Sequence, residues 1–366
     1  ETISVADPKQ DATLPDDSRI QLTLGNEITR KGSTFTIRRF QDVPFTPIDL
    51  VRSGTFSKEQ MAYLWLAIEN NKSLIFAGGT ASGKTTSMNA VSLFIPPKSK
   101  IVSIEDTQEL KLPHSNWIPG VTREGNASAK EITMYDLLES ALRMRPEYLV
   151  VGEVRGNEAQ TLFQAMSTGH TTYSTMHADS IDTAINRLIN NPINVPVKML
   201  ESLDLICIQN RVQKEGEDGE LKTVRRNEKI HEIKTVNSGN DKEAPAVYNW
   251  DPETDNHVSQ IEVNSDVIED IAHFKGFSDM DRIWAMIDER KEVIQYIIDK
   301  EIYDVRLITR IIQAYTIDRD KVMQGIRTDT LTPEDINDIE DIDLESFDEP
   351  MEVENERLLD ESGMYD

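Results

Sequence analysis

The sequence predicts an α/β fold built on a mostly parallel sheet with helices on both faces. Three observations carry the expectation. Short apolar runs alternate with helical patterns between residues 72 and 211, a glycine-rich loop joins the first run to the first helix, and acidic residues close two later runs. Alternation of this kind buries a sheet between two helical layers.

The first strand is KSLIFA, and a helix follows from Lys84. KIVSIE comes next, then a helix from Thr133, the strand EYLVVG and a helix from Asn157. TTYSTM follows, with a helix from about Ser180 and a last strand in LDLICIQ. The core domain is therefore expected over 57–211. Ahead of it, RIQLTL and TFTI flank the polar, glycine-containing GNEITRKGS and read as paired strands. They are expected to close a truncated α/β N-terminal domain over 1–40, with the part before Glu1 missing. Residues 41–56 hold Pro44, Pro47 and Gly54 and read as a linker and hinge, after which Ser57 opens a helix with the capping pattern S-K-E-Q.

Beyond Arg211 the turn-rich stretches KEGEDGE, NSGNDKEAP and DPETDN predict a β-hairpin or small meander over 212–264. Ile283, Ile287, Ile294, Ile298, Ile308 and Ile312 recur at helical spacing and predict a helical subdomain over 265–328. Residues 329–366 hold 16 acidic side chains against the single base Arg357, so an acidic, disordered tail is expected there.

Composition narrows the function. The 366 residues are 38 % hydrophobic and 28 % charged, as in a globular protein. The net charge of −26 argues against a nucleic-acid substrate, because lysine and arginine drive phosphate binding. The single cysteine, Cys207, rules out intrachain disulfides and multi-cysteine metal sites. No apolar run approaches the roughly 18 residues of a membrane helix.

Gly78, Gly79, Thr80, Ala81, Ser82, Gly83, Lys84 and Thr85 match the G-x-x-x-x-G-K-[ST] phosphate loop, and Thr86 follows inside the helix. The loop leaves a strand and opens a helix, which is the setting the motif requires. Backbone N–H groups there turn towards phosphate oxygens, with the helix N-terminus adding a favourable dipole. Lys84 is expected on the β- and γ-phosphates of ATP and Thr85 on Mg²⁺. Glu105 and Glu153 stand at strand C-terminal ends, where open α/β sheets bind ligands. One can organise Mg²⁺ and the other the attacking water. His170 and His177 flank TTYSTM.

The phosphate loop GGTASGKT, the acidic box IVSIEDTQEL, the region LRMRPEYLVVGEVRG and the histidine box AMSTGHTTYSTMHADS occur in that order. Together they resemble the type II secretion, type IV pilus and archaellum ATPase superfamily, in the wording of its archaeal secretion-ATPase branch. The resemblance implies a RecA-like P-loop fold and an Mg²⁺-dependent ATPase working as a homo-hexamer. It also implies a cytoplasmic protein held peripherally at the inner face of the membrane, driving a pilus-like filament through a polytopic membrane platform protein. By motif position, Glu105 is the water-positioning acid, Glu153 the Mg²⁺-side acid and His170 and His177 the histidine pair. The resemblance also makes Arg30 and Arg38, in TRKGSTFTIRRF, candidates for arginines given to nucleotide across a subunit boundary, with Arg19 and Arg39 behind them. Arg143 and Arg155 are as readily structural ion-pair residues. Thr107 and the lone cysteine depart from bacterial members. The alternative reading is a nucleic-acid-translocating or conjugation-type RecA-like ATPase, which needs a basic, aromatic-bearing channel.

Overall fold

A computed structural model describes residues 3–15, 18–26, 28–39, 43–123, 130–215, 219–233 and 244–336. The chain divides into two units, the first ending at Val43 and the second beginning at Pro44. In the first, β1 (Lys9–Thr13), β2 (Arg19–Thr23) and β3 (Thr34–Arg38) form an antiparallel meander. RIQLTL and TFTI thus pair, with Arg19 opposite Arg38. The connection holds its shape through Thr29, whose Oγ1 donates to Gly32 O at 2.6 Å.

The second unit opens with α1 (Pro47–Arg52) and α2 (Lys58–Glu69). Each begins with a capping box, Thr46 with Asp49 and Ser57 with Gln60, so the pattern S-K-E-Q does mark a helix start. The expected linker 41–56 is corrected from Pro44 onward: Ile48, Leu50 and Phe56 are buried at 2 % exposure or less. Proline and glycine there serve a capped helix and its turn, whereas the apolar residues between them need a core.

The chain continues through β4 (Leu74–Gly78), α3 (Lys84–Val91), β5 (Ile101–Glu105), β6 (Trp117–Val121), α4 (Met134–Met144), β7 (Tyr148–Val151), α5 (Glu158–Ser167), β8 (Thr171–Met176) and α6 (Ile181–Ile189). Next come β9 (Leu205–Glu215), β10 (Leu221–Glu232), β11 (Ala246–Asp251) and β12 (Asn256–Ser259). The described C-terminal residues form α7 (Ile261–Asn264), α8 (Asp266–Phe274), α9 (Asp281–Asp299), α10 (Val305–Ile317), α11 (Arg319–Arg327) and α12 (Pro333–Ile336).

One nine-stranded sheet runs in the order β12-β11-β10-β9-β4-β8-β7-β5-β6. From β9 to β6 every pairing is parallel, and β10 to β12 add antiparallel. The expected α/β, mostly parallel fold is what the chain adopts. Two corrections follow. The hairpin is no separate extension, because β9 begins as a core strand and carries on unbroken past Arg211. The strand β6 has no clear sequence signal: Pro119 and Gly120 interrupt it, and a sheet edge tolerates both.

Successive residues of each central strand serve opposite cores. Leu74, Phe76, Tyr148, Tyr173 and Cys207 face a core shared with α2, α3 and α8 to α11. Ile75, Ala77, Leu149, Val151 and Ile206 face one shared with α4, α5 and α6. Thus the helices of 265–328 are not a separate subdomain but the cover of the first face. Trp65 on α2 stacks on Phe94 at 4.8 Å and meets Tyr315 of α10 edge-on at 5.0 Å. Beneath them Arg290 and Glu69 form a buried ion pair joining α9 to α2. Removing either partner would strand a charge in the core.

The expectation of a tail from 329 is corrected over its first residues. Leu331 packs against the helical core, and Ile336 is 3 % exposed within it. The remainder of that expectation, 337–366, lies outside the described residues. Among the described residues no helix is long and apolar enough to cross a membrane.

Candidate nucleotide site

β4 delivers the glycine-rich loop to the C-terminal edge of the parallel sheet, and the loop turns into α3. Its backbone is held in two left-handed positions, Ala81 at φ 59° and Gly83 at φ 87°. Gly83 is the N-cap of α3, where a residue without Cβ adopts that conformation freely. Gly78 is required for another reason: a Cβ there would stand 2.3 Å from Gln209 O, a fixed backbone atom of β9. Ser82 Oγ and Lys84 Nζ donate to Gly79 O at 2.9 and 2.8 Å, which folds the loop on itself. Lys84 is 8 % exposed. Burial lowers its pKa from the usual lysine range, and the charge of Glu153 opposes that shift.

Glu105 ends β5, Glu153 follows β7 by two residues, and His177 follows β8 by one. Parallel pairing brings all three to the edge that holds the loop. The Glu105 carboxylate is 3 % exposed and accepts from the backbone N–H groups of Glu109 and Leu110 at 3.0 and 3.2 Å. Burial pushes its pKa up to about 8, against the pull of those N–H groups. Gly152 makes room for it, since a Cβ there would lie 3.3 Å from Glu105 Cγ.

Glu153 is shared between partners. Its Oε2 accepts from Arg155 Nε at 2.8 Å, and Arg155 also lies 3.6 Å from Asp106. Its Oε1 lies 3.2 Å from His177 Nε2 and, though buried, has no hydrogen bond. A buried carboxylate oxygen left in this state, beside the loop that carries the Thr85 hydroxyl, fits a hard divalent cation or its bound water. His177 has its pKa lowered chiefly by burial and then by Lys84, so its neutral form is favoured.

The two histidines of the pair do not meet. His170 precedes β8 and bonds locally, its Nδ1 lying 3.2 Å from Thr168 Oγ1. Six strand residues at about 3.3 Å each separate it from His177, so it lies on the opposite edge of the sheet. Within one chain His170 is therefore remote from the phosphate loop. Arg143 is exposed in the last turn of α4. Arg30 and Arg38 are exposed on the first unit.

Two residues of this edge carried no sequence signal. Gln209 on β9 is fully buried and donates to Ser87 Oγ at 2.7 Å, bracing α3. Arg225 on β10 donates from Nε to Ala81 O at 3.0 Å. Strand register alone puts either one beside the loop, and nothing local in the sequence marks them.

The family model for type II/IV secretion system proteins matches residues 3–248. The chain belongs to the type II/IV secretion system protein family. Among curated relatives of this family member, an uncharacterized protein of Methanocaldococcus jannaschii is 42 % identical over 315 residues, which are 86 % of this chain and 56 % of that protein. The chain thus spans little more than half of that relative's length. A second uncharacterized protein of the same organism is 48 % identical over 65 % of this chain and 86 % of its own length. The type IV secretion system protein PtlH of Bordetella pertussis is 44 % identical over 34 % of this chain and 38 % of its own length.

Proposed function

We propose that this secretion-family chain binds ATP with Mg²⁺ in the Gly78–Thr86 loop and hydrolyses it. The observation that carries the reading is the convergence on one sheet edge of a buried phosphate-loop lysine and a buried carboxylate oxygen without a hydrogen bond, Glu153 Oε1. Thr85 and Glu153 would hold Mg²⁺, which would draw charge from the β- and γ-phosphate oxygens. Lys84 would exchange its bond to Gly79 O for one to phosphate. Glu105, once ionised, would orient or deprotonate water, and neutral His177 would donate to the γ-phosphate. His170 does not reach this site in its own chain, and its proposed role lies at a contact between subunits.

We further propose, on family membership and on the likeness to PtlH, a type IV secretion system protein, that turnover drives a pilus-like or secretion machine. The working unit would be a homo-hexamer, peripheral at the inner face of the cytoplasmic membrane and acting on a polytopic platform protein. Glu153→Gln tests the chemistry. It should retain ATP binding while turnover falls about a hundredfold or more, in a single-turnover assay with Mg²⁺. Near-native turnover would remove Glu153 from the site.

The arginine assignment has its own test. Arg30 or Arg38 is proposed to act on nucleotide held by a neighbouring subunit, since an arginine in trans stabilises charge developing on the transferred phosphoryl group. Rings mixed from inactive Lys84→Ala chains and inactive Arg30→Ala/Arg38→Ala chains should regain activity. Verified subunit exchange without recovery would exclude donation in trans by independently firing sites.

A further inference from the structure

Arg225 belongs to none of the four sequence boxes, yet its side chain reaches the crest of the phosphate loop. Its Nε holds Ala81 O, and its Cδ stands 3.0 Å from where a Cβ on Gly83 would sit. Ala81 and Gly83 are the two left-handed residues of the loop, so the guanidinium fastens the backbone where its conformation is least favourable. A non-glycine residue keeps such a conformation only when its surroundings impose it.

Two neighbours extend the observation. Arg211 on β9 is directly opposite Arg225 on β10. Like charges so placed on a sheet repel, and a phosphate anion held beside them would relieve the repulsion. On the other side, Arg226 Nη1 donates to Ser53 O at 3.0 Å and Asn227 N to Thr55 O at 2.8 Å. Three consecutive residues of β10 therefore grip the phosphate loop and the turn between α1 and α2. Arg226 is anchored in turn by Asp255, from Nε at 2.8 Å and Nη2 at 3.0 Å.

We propose that Arg225 is a positioning residue of the phosphate loop, acting through Ala81 and paired with Arg211, which raises affinity for the phosphate groups of a nucleoside di- or triphosphate. The inference rests on the ATP-binding reading of the same loop. It makes the β9–β10 hairpin part of the nucleotide site rather than an appendage to the sheet.

The test compares wild type, Arg225→Ala, Arg225→Lys and Arg226→Ala in the full chain. ADP affinity is titrated directly, inorganic pyrophosphate is titrated by displacement of a fluorescent ADP, and melting is followed without ligand. Arg225→Ala should weaken ADP and pyrophosphate by the same factor, roughly tenfold for the loss of one charge-assisted hydrogen bond to the loop backbone. Its melting temperature should change little, because the residue is only half-buried and packs in neither core. Arg225→Lys should recover part of both affinities. Arg226→Ala, which removes a buried anchor, should melt earlier with ADP affinity within about threefold of wild type.

Unchanged ADP affinity in Arg225→Ala overturns the inference. So does weakening of ADP without pyrophosphate, which would show that the loop held by Arg225 does not set phosphate affinity, and so does an equal loss in Arg226→Ala, which would show a general disturbance of the sheet. If wild type itself binds neither ADP nor pyrophosphate, the ATP-binding reading fails and the inference falls with it.

Discussion

Lys84→Ala should lower the affinity for ATP and ADP on the order of a hundredfold or more while leaving the melting temperature of the nucleotide-free chain nearly unchanged. The side chain is 8 % exposed and its bond is to a loop carbonyl, Gly79 O. In that enclosed position its interaction with phosphate is only weakly screened by water and salt. The same enclosure explains why stability should hold. Burial already disfavours the charged ammonium, as the lowered pKa states, so deleting it relieves a cost while it removes one hydrogen bond. Calorimetric titration with ADP and a melting curve without it measure the two halves. An affinity within threefold of wild type would show that the loop does not hold phosphate through this residue.

Glu105 should make both stability and turnover depend on pH. Its folded pKa of about 8 lies above the ordinary glutamate value of 4.5, so the folded chain favours the protonated carboxyl. The stabilising contribution is complete below the unfolded pKa and disappears as pH rises from about 4.5 through about 8. Above that window Glu105→Gln should therefore be more stable than wild type, by at most about 5 kcal/mol, and near pH 4 the two should converge. Half-buried Asp204 and buried Glu232 also have raised carboxyl pKa values, so only the difference between wild type and Glu105→Gln isolates this group. Turnover carries the opposite sign. A water-activating carboxylate must be ionised, so kcat/KM should climb towards an apparent pKa near 8, and Glu105→Gln should lose that limb along with most of its activity. Urea unfolding at several pH values, with a pH–rate profile beside it, reads both. A wild-type minus Glu105→Gln stability difference that is flat with pH would refute the assignment.

The parallel sheet and the phosphate loop were legible because they are local. A strand of five or six residues, a glycine-rich turn and a helix cap each announce themselves in consecutive residues, and Gly83, Ser57 and Thr133 sit where such rules put them. The spacing of the two histidines was legible too, and it argues against joining them: a strand of six residues with one at each end holds them apart. What escaped depends on partners distant in sequence. Pro44, Pro47 and Gly54 look like a linker until Ile48, Leu50 and Phe56 are seen to have a core to enter. Arg225 and Gln209 approach the loop only because β9 pairs parallel with β4 and antiparallel with β10. The helices of 265–328 showed their own periodicity but could not show that α2 was what they covered.

Cys207 lies in β9 between Phe76 and Ile230, completely buried, and burial raises its thiol pKa far above the usual range. A thiolate-seeking reagent has nothing to attack in the folded chain. The native protein is thus an unreactive background for maleimide chemistry. A cysteine substituted at a surface position, such as Leu221 on the hairpin, would take up a fluorophore alone, and its distance to a second label on the first unit could be followed through a catalytic cycle without removing any native residue.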